Sequence, residues 1–167
     1  MATQAISPHG GAHDHDLCVA DALASAEAIC HSRGARLTAV RRRVLELVWS
    51  GHRPVGAYDV LAALAPEGRP AAPPTVYRAL DFLIEQGLIH RIASLNAFVG
   101  CAHPEAAHAG QFLICLGCRE VSEFDDPVIA ADVAARANSR GFVVSAQNLE
   151  VTGLCARCRT GQVVAGS

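Results

Sequence analysis

The chain has 167 residues, of which 51% are hydrophobic and 18% are charged, and its formal net charge is -2. This composition is that of a folded globular protein and excludes an intrinsically disordered chain. No apolar run approaches the roughly 20 residues that cross a bilayer, and the first residues lack the pattern of a secretory signal. We therefore expect a cytoplasmic protein. In that reducing compartment the seven cysteines are expected to bind metal rather than form disulfides.

The N-terminal part of the chain is predicted to be helical after a flexible start. Residues 1–16 show no apolar periodicity and are predicted to form a flexible tail. The alanine-rich residues 17–32 favour a helix, and Thr38 can cap a second helix whose apolar residues recur every three or four positions. A short third helix is predicted over residues 57–65.

A fourth helix and a hairpin follow a Pro-rich connection. Thr75 is predicted to open this helix, and its apolar stripe leaves Tyr77 and Arg78 on other faces. Two short apolar runs then predict a hairpin over residues 88–101. Helices followed by a hairpin are typical of a winged helix, in which the last helix enters the major groove of DNA.

Charge is segregated along the chain, which bears on the role of this helical part. Residues 33–91 carry nine arginines against five acidic residues, a net charge of +4, whereas the segments before and after are acidic. Segregated positive charge indicates a nucleic-acid-binding face. A solvated basic surface without such a role fits the charge equally well.

The second half is predicted to be a small module of strands around one helix. Asp126 with Pro127 opens that helix and Gly141 stops it. The predicted strands are residues 111–115, 121–124, 142–145 and 149–152. The fold class is therefore α+β. The predicted organisation is a tail (1–16), a winged-helix DNA-binding domain (17–101), a hinge (102–110), a small α/β domain (111–160) and a second tail (161–167).

Two C-x-x-C pairs, separated by 36 residues, predict a metal site in the second half. The pairs are Cys115 with Cys118 and Cys155 with Cys158. Four thiolates can surround a tetrahedral zinc ion in a closed structural site. Two disulfides or a redox-active pair are the competing interpretations. Cys18 and Cys30 have no partner motif and are predicted to be packed as small apolar residues.

A second group of candidate ligands mixes residue types. It comprises a histidine in the hairpin, a cysteine at the hairpin end, a histidine in the hinge and a glutamate after the first C-x-x-C pair. These residues are His90, Cys101, His108 and Glu123. Nitrogen, sulfur and oxygen ligands together suit zinc. By spacing alone each residue also has an ordinary interpretation, as a packed strand-end residue or a surface carboxylate.

Several stretches of the chain carry these motifs in a characteristic order. They are PPTVYRALDFLIEQGLIHRI, NAFVGCAH, HAGQFLICLGCREVSEF and GLCARC. In them the chain resembles the ferric uptake regulator family, and within it the zinc uptake regulators most closely. The resemblance implies a homodimeric DNA-binding repressor, with an N-terminal winged helix, a C-terminal dimerisation domain and two zinc ions per protomer.

The resemblance also implies roles for individual residues. The four cysteines of the C-x-x-C pairs correspond to a structural zinc site. The mixed group corresponds to a regulatory zinc site, where zinc acts as a corepressor that closes the dimer on a palindromic operator. Tyr77 and Arg78 match the family's DNA-contacting pair, and Thr75 lies beside them. The residues expected to contact phosphates are Arg41, Arg42 and Arg43.

Two other functions are weighed against this one. Iron-sensing members of the family carry closely spaced histidines before the first C-x-x-C pair, where this chain has only His108. An iron or peroxide sensor is therefore disfavoured. A zinc hydrolase would need an open coordination position, which four protein ligands would fill. A third metal site is left open, with the candidate ligands His103, His9, His13 and His15.

Overall fold

The computed structural model describes residues 15–51, 53–67, 72–106 and 108–161. The chain divides into two compact units next to residue 107, which lies inside the predicted hinge. No helix among the described residues is long and apolar enough to span a membrane. Outside the described residues lie positions 1–14 of the predicted tail, with His9 and His13, positions 68–71 of the Pro-rich connection, and positions 162–167 of the second tail.

Helices and a small sheet form the N-terminal unit, as predicted for a winged helix. The described helices are α1 (His15–Ser32), α2 (Ala39–Trp49), α3 (Ala57–Leu64) and α4 (Pro73–Glu85). The strands are β1 (Val55–Gly56), β2 (Ile89–Ile92) and β3 (Ala97–Gly100). All pairs are antiparallel, in the order β1-β3-β2. The predicted hairpin corresponds to β2 and β3, whereas β1 was not predicted.

Two helix N-termini test the capping residues that the sequence predicts. Thr38 caps α2 as predicted, because its side-chain oxygen accepts a hydrogen bond from the Arg41 backbone N–H at 3.4 Å. The prediction that Thr75 opens α4 is wrong, since the helix begins two residues earlier at Pro73. Proline is well suited to the first helical turn, where its φ is already helical and its missing N–H would have no partner.

One apolar core holds the N-terminal unit together. All four helices and the β2–β3 hairpin contribute to it. Its members are Leu23, Ala26, Cys30, Val44, Leu45, Val48, Val60, Leu64, Val76, Ala79, Leu80, Leu83, Leu88, Ile89 and Phe98. The interpretation of Cys30 as a packed apolar residue is confirmed, because it is 1% exposed. Trp49 packs against this core beside Gly100, where an added Cβ would lie 2.2 Å from the indole ring.

The C-terminal unit is a three-stranded sheet with helices. Its elements are β4 (Gly110–Cys115), β5 (Val121–Glu123), α5 (Pro127–Asn138), β6 (Asn148–Gly153) and α6 (Ala156–Arg159). The strand order is β5-β4-β6, in which β4 runs antiparallel to β5 and parallel to β6, with Gly110 opposite Asn148. Asp126 caps α5 by accepting a hydrogen bond from the Val128 backbone N–H at 2.8 Å.

Two features of this unit differ from the sequence predictions. The strand predicted over residues 142–145 is absent, although its apolar, β-branched sequence favours one. Both edges of β4 are already paired, and Phe142 and Val143 are 66% and 83% exposed. The short helix α6 was not predicted, because four residues are too few to show a helical period.

Candidate metal centres and nucleic-acid interface

The four cysteines of the two C-x-x-C pairs lie together in the C-terminal unit. Cys115 is the last residue of β4 and Cys155 is the N-cap of α6, so the end of a strand and the start of a helix bring the pairs together. The four Sγ atoms lie within 4.8 Å of one another. Gly117 permits this approach, because a Cβ there would lie 2.8 Å from Cys158 Sγ.

The sulfur positions fit a tetrahedral metal ion and exclude disulfides in this structure. The Sγ atoms of Cys118 and Cys155 are 3.9 Å apart. Four sulfurs bound to zinc at about 2.3 Å would lie about 3.8 Å from one another. A disulfide needs a separation of about 2.05 Å, and all seven cysteines are free.

The thiols of this cluster differ in acidity. The backbone N–H of Cys155 donates a hydrogen bond of 3.3 Å to Cys115 Sγ and, with other backbone donors, lowers the pKa of Cys115 to about 6. Loss of hydration, reinforced by the neighbouring thiols, raises the pKa of Cys158 to about 12. Four adjacent thiolates repel one another, so a bound dication favours their joint ionisation.

Sequence reasoning missed an ion pair beside the cysteines. Arg157, between the two cysteines of the second pair, donates a hydrogen bond to Glu120, which follows the first pair. Glu120 Oε2 also lies 3.7 Å from Cys118 Sγ. The opposite charges near the two C-x-x-C motifs were the available signal, although the sequence does not show that these residues meet.

The mixed group of predicted ligands is divided between the two units, with two residues in each. In the C-terminal unit, His108 Nε2 lies 2.7 Å from Glu123 Oε1, and these side chains are 8% and 10% exposed. In the N-terminal unit, the ligand atoms of His90 and Cys101 lie within 4.8 Å of each other. The structure thus brings together each pair within its own unit.

Backbone pairing positions the N-terminal pair of the mixed group. His90 lies on β2 opposite Val99 of β3, and the Cys101 N–H donates a hydrogen bond of 3.0 Å to the Leu88 carbonyl. Cys101 is 2% exposed. A histidine and a buried thiol at the same end of the hairpin form a donor pair suited to a metal of intermediate softness.

The predicted DNA-contacting residues lie at the start of α4. Tyr77 and Arg78 are exposed, and Thr75 is half-buried one turn earlier, while the opposite face of the helix enters the core. Arg78 makes no hydrogen bond or ion pair with any described residue. An exposed aromatic ring and an arginine on one helical turn can contact base edges in a major groove.

The arginines predicted to contact phosphates already have partners in the N-terminal unit. The Arg41 guanidinium lies 3.6 Å from the centre of the Phe82 ring, a cation–π contact. Arg42 and Arg43 both pair with Glu46, at 3.6 and 2.8 Å. Their phosphate contacts stay a prediction, which requires these side chains to exchange some of their present partners.

Comparison with known proteins identifies the family. Residues 32–152 match the model of the ferric uptake regulator family. The zinc uptake regulation protein of Escherichia coli K12 is 39% identical over 137 residues, which cover 81% of this chain and 80% of that protein.

Solved structures agree with this match. Holo XcZur is 42% identical, with a TM-score of 0.78 over 88% of this chain and 99% of that one. A zinc uptake regulator in complex with zinc and DNA is 37% identical, with a TM-score of 0.82 over 86% of this chain and 97% of that one. The chain belongs to the ferric uptake regulator family.

Proposed function

We propose that this protein is a zinc-responsive transcriptional repressor that binds double-stranded operator DNA as a homodimer and controls zinc-uptake genes. Relatives that are named for zinc uptake regulation, at 37 to 42% identity, support the proposal. The observation that most favours zinc over iron is the buried thiol of Cys101 beside His90. A thiolate with imidazole favours zinc, whereas iron sensing would favour nitrogen and oxygen ligands.

The four-cysteine cluster is proposed to hold a structural zinc ion. Its sulfur spacing matches a tetrahedral site, and four protein thiolates leave no coordination position open for a substrate. Such an ion stabilises the fold, because the folded chain binds it and the unfolded chain does not. The closed ligand set also gives no support to a hydrolase.

The mixed group is proposed to hold a second, regulatory zinc ion. Only six residues separate Cys101 from His108, so the two donor pairs are joined by a segment that spans at most roughly 25 Å. A tetrahedral zinc with nitrogen and oxygen ligands at about 2.0 Å would hold those atoms about 3.3 Å apart. His108 and Glu123, at 2.7 Å, would therefore separate slightly to share the ion.

Exposed apolar side chains support the proposed homodimer. Several large apolar residues of α5, β4, β6 and the segment that joins α5 to β6 are 45 to 83% exposed. They include Leu113, Val128, Val133, Phe142, Val143 and Val151. Many exposed large apolar side chains in a small unit are typical of an interface between subunits.

A metal shared by residues of the two units would couple zinc to DNA binding. Without it, the two winged-helix units of a dimer would adopt many orientations, of which few match half-sites about one helical turn apart. With His90 and Cys101 tied to His108 and Glu123, the competent fraction rises. Operator DNA must then tighten zinc binding by the same factor, and couplings of about 1–3 kcal/mol are typical.

The proposal is tested by measuring operator affinity as a function of free zinc, iron(II) and manganese(II). We expect zinc to raise the affinity at the lowest free concentration. Cys101→Ala should abolish this zinc dependence while the protein keeps its fold and one tightly bound zinc ion. Activation by iron(II) or manganese(II) at lower free concentration than zinc would instead indicate an iron or peroxide sensor.

A further inference from the structure

An ion pair links the two C-x-x-C segments at the surface of the four-cysteine cluster. Glu120 follows Cys118 by two residues, and Arg157 lies between Cys155 and Cys158. Nη2 of Arg157 donates a hydrogen bond to Oε2 of Glu120. Neither residue belongs to the proposed zinc ligands, yet together they connect the segments that carry all four of them.

The two charges act on the thiolates in opposite directions. Zinc with four thiolates carries a formal charge of about -2. The carboxylate of Glu120, 3.7 Å from Cys118 Sγ, adds to the negative charge and by itself disfavours the bound state. The Arg157 guanidinium neutralises the carboxylate and attracts the thiolates, so the position of Glu120 is favourable only while Arg157 is present.

We propose that Arg157 and Glu120 are positioning residues that slow the release of the structural zinc, with Arg157 offsetting the negative charge and the ion pair keeping the two C-x-x-C segments together. The inference rests on the structural zinc site proposed above. Release requires the segments to separate, because each supplies only two of the four thiolates. The ion pair opposes that separation directly.

Exposure limits the size of the effect. The side chains of Arg157 and Glu120 are 58% and 23% exposed. Buried groups that orient metal ligands commonly change metal affinity by about 10- to 100-fold. An exposed ion pair contributes less, since water and salt screen it, so we expect roughly three- to tenfold faster release after Arg157→Ala.

Transfer of zinc from the full-length, zinc-loaded protein to excess 4-(2-pyridylazo)resorcinol measures this release. A short treatment with EDTA first removes weakly bound zinc, and Cys158→Ser identifies the slow phase by abolishing it. The variants are Arg157→Ala, Glu120→Ala and the double variant. Arg159→Ala is the matched control, since it removes the same charge from the same short helix and Arg159 has no ion pair among the described residues.

The order of the zinc-release rates shows whether Arg157 acts by offsetting charge as well as by forming an ion pair. We expect Arg157→Ala to release zinc fastest, and the double variant to release it more slowly than Arg157→Ala because the repulsive carboxylate is also gone. Glu120→Ala, which loses the ion pair but keeps the guanidinium, should lie between the wild type and Arg157→Ala, and Arg159→Ala should match the wild type. Equal rates for Arg157→Ala and Arg159→Ala would overturn the proposal. A double variant as fast as Arg157→Ala would overturn the charge-offset part. If the wild type shows no slow phase, the structural zinc itself is refuted and this inference with it.

Discussion

Replacing Gly100 with alanine places a methyl group against the ring of Trp49. The added Cβ would lie 2.2, 2.4 and 2.6 Å from three indole atoms. Carbon atoms in contact without a bond are at least about 3.5 Å apart. The ring or the end of β3 must therefore move by about 1.3 Å.

The expected loss of folding stability depends on the packing that this movement disrupts. Trp49 ends α2 and packs against the core of the N-terminal unit, while Gly100 pairs with Ile89 at the end of the hairpin. Overpacking of this kind costs about 1–3 kcal/mol. Because the indole is only half-buried and can shift toward solvent, we expect about 2 kcal/mol, which lowers the urea midpoint by about 1–2 M.

Tryptophan fluorescence provides the assay. Trp49 is the only tryptophan in the chain, so its emission during a urea titration reports on the N-terminal unit. Gly51→Ala is the matched control, because the nearest atom to its added Cβ is 3.9 Å away. In a Trp49→Leu background, followed by circular dichroism, Gly100→Ala should cost much less.

A specific result would refute this reasoning. If Gly100→Ala shifts the midpoint no more than Gly51→Ala does, the contact between Gly100 and Trp49 does not limit the packing of the hairpin. An equal cost of Gly100→Ala with and without Trp49 would place the strain elsewhere in the backbone.

Two further predictions concern the metal and DNA sites. Cys158→Ser should lose the slowly exchanging zinc and lower the melting temperature of the C-terminal unit, because the site loses one of four thiolates. Metal analysis measures the bound zinc and calorimetry measures the melting temperature. A variant that has lost this zinc but keeps its stability would contradict the structural role. Arg78→Ala should reduce the discrimination between operator and scrambled DNA by about 1–3 kcal/mol, since a bidentate base contact is removed. Equal losses on both DNAs at saturating zinc would show that Arg78 only positions the helix.

The helical part of the fold was predictable because its signals are local. Apolar residues at helical spacing mark α2 and α4, and Thr38 and Gly87, whose φ is +66°, mark helix ends. The start of α4 was misplaced because Thr75 is a typical cap residue, whereas two consecutive prolines extend the helix at its N-terminus.

The sheet edges and the surroundings of the metal site were less predictable because they depend on distant residues. Residues 142–145 have the composition of a strand, but they pair with none of the described strands, and local sequence does not reveal whether such pairing occurs. The two-residue strand β1 exists only through its pairing with β3. The cysteine cluster was predictable from its repeated spacing, whereas the contact of Glu120 with Arg157 joins residues 37 positions apart.

The parallel pairing of β4 with β6 has a consequence for the order of folding. Gly110 lies opposite Asn148, so the chain must close a long loop before the first pair of this ladder forms. The β2–β3 hairpin closes over a few residues, and contacts between residues close in sequence form faster than distant ones. We therefore expect the sheet of the C-terminal unit to form late. Until it does, the two C-x-x-C pairs remain apart and their thiols stay open to oxidation.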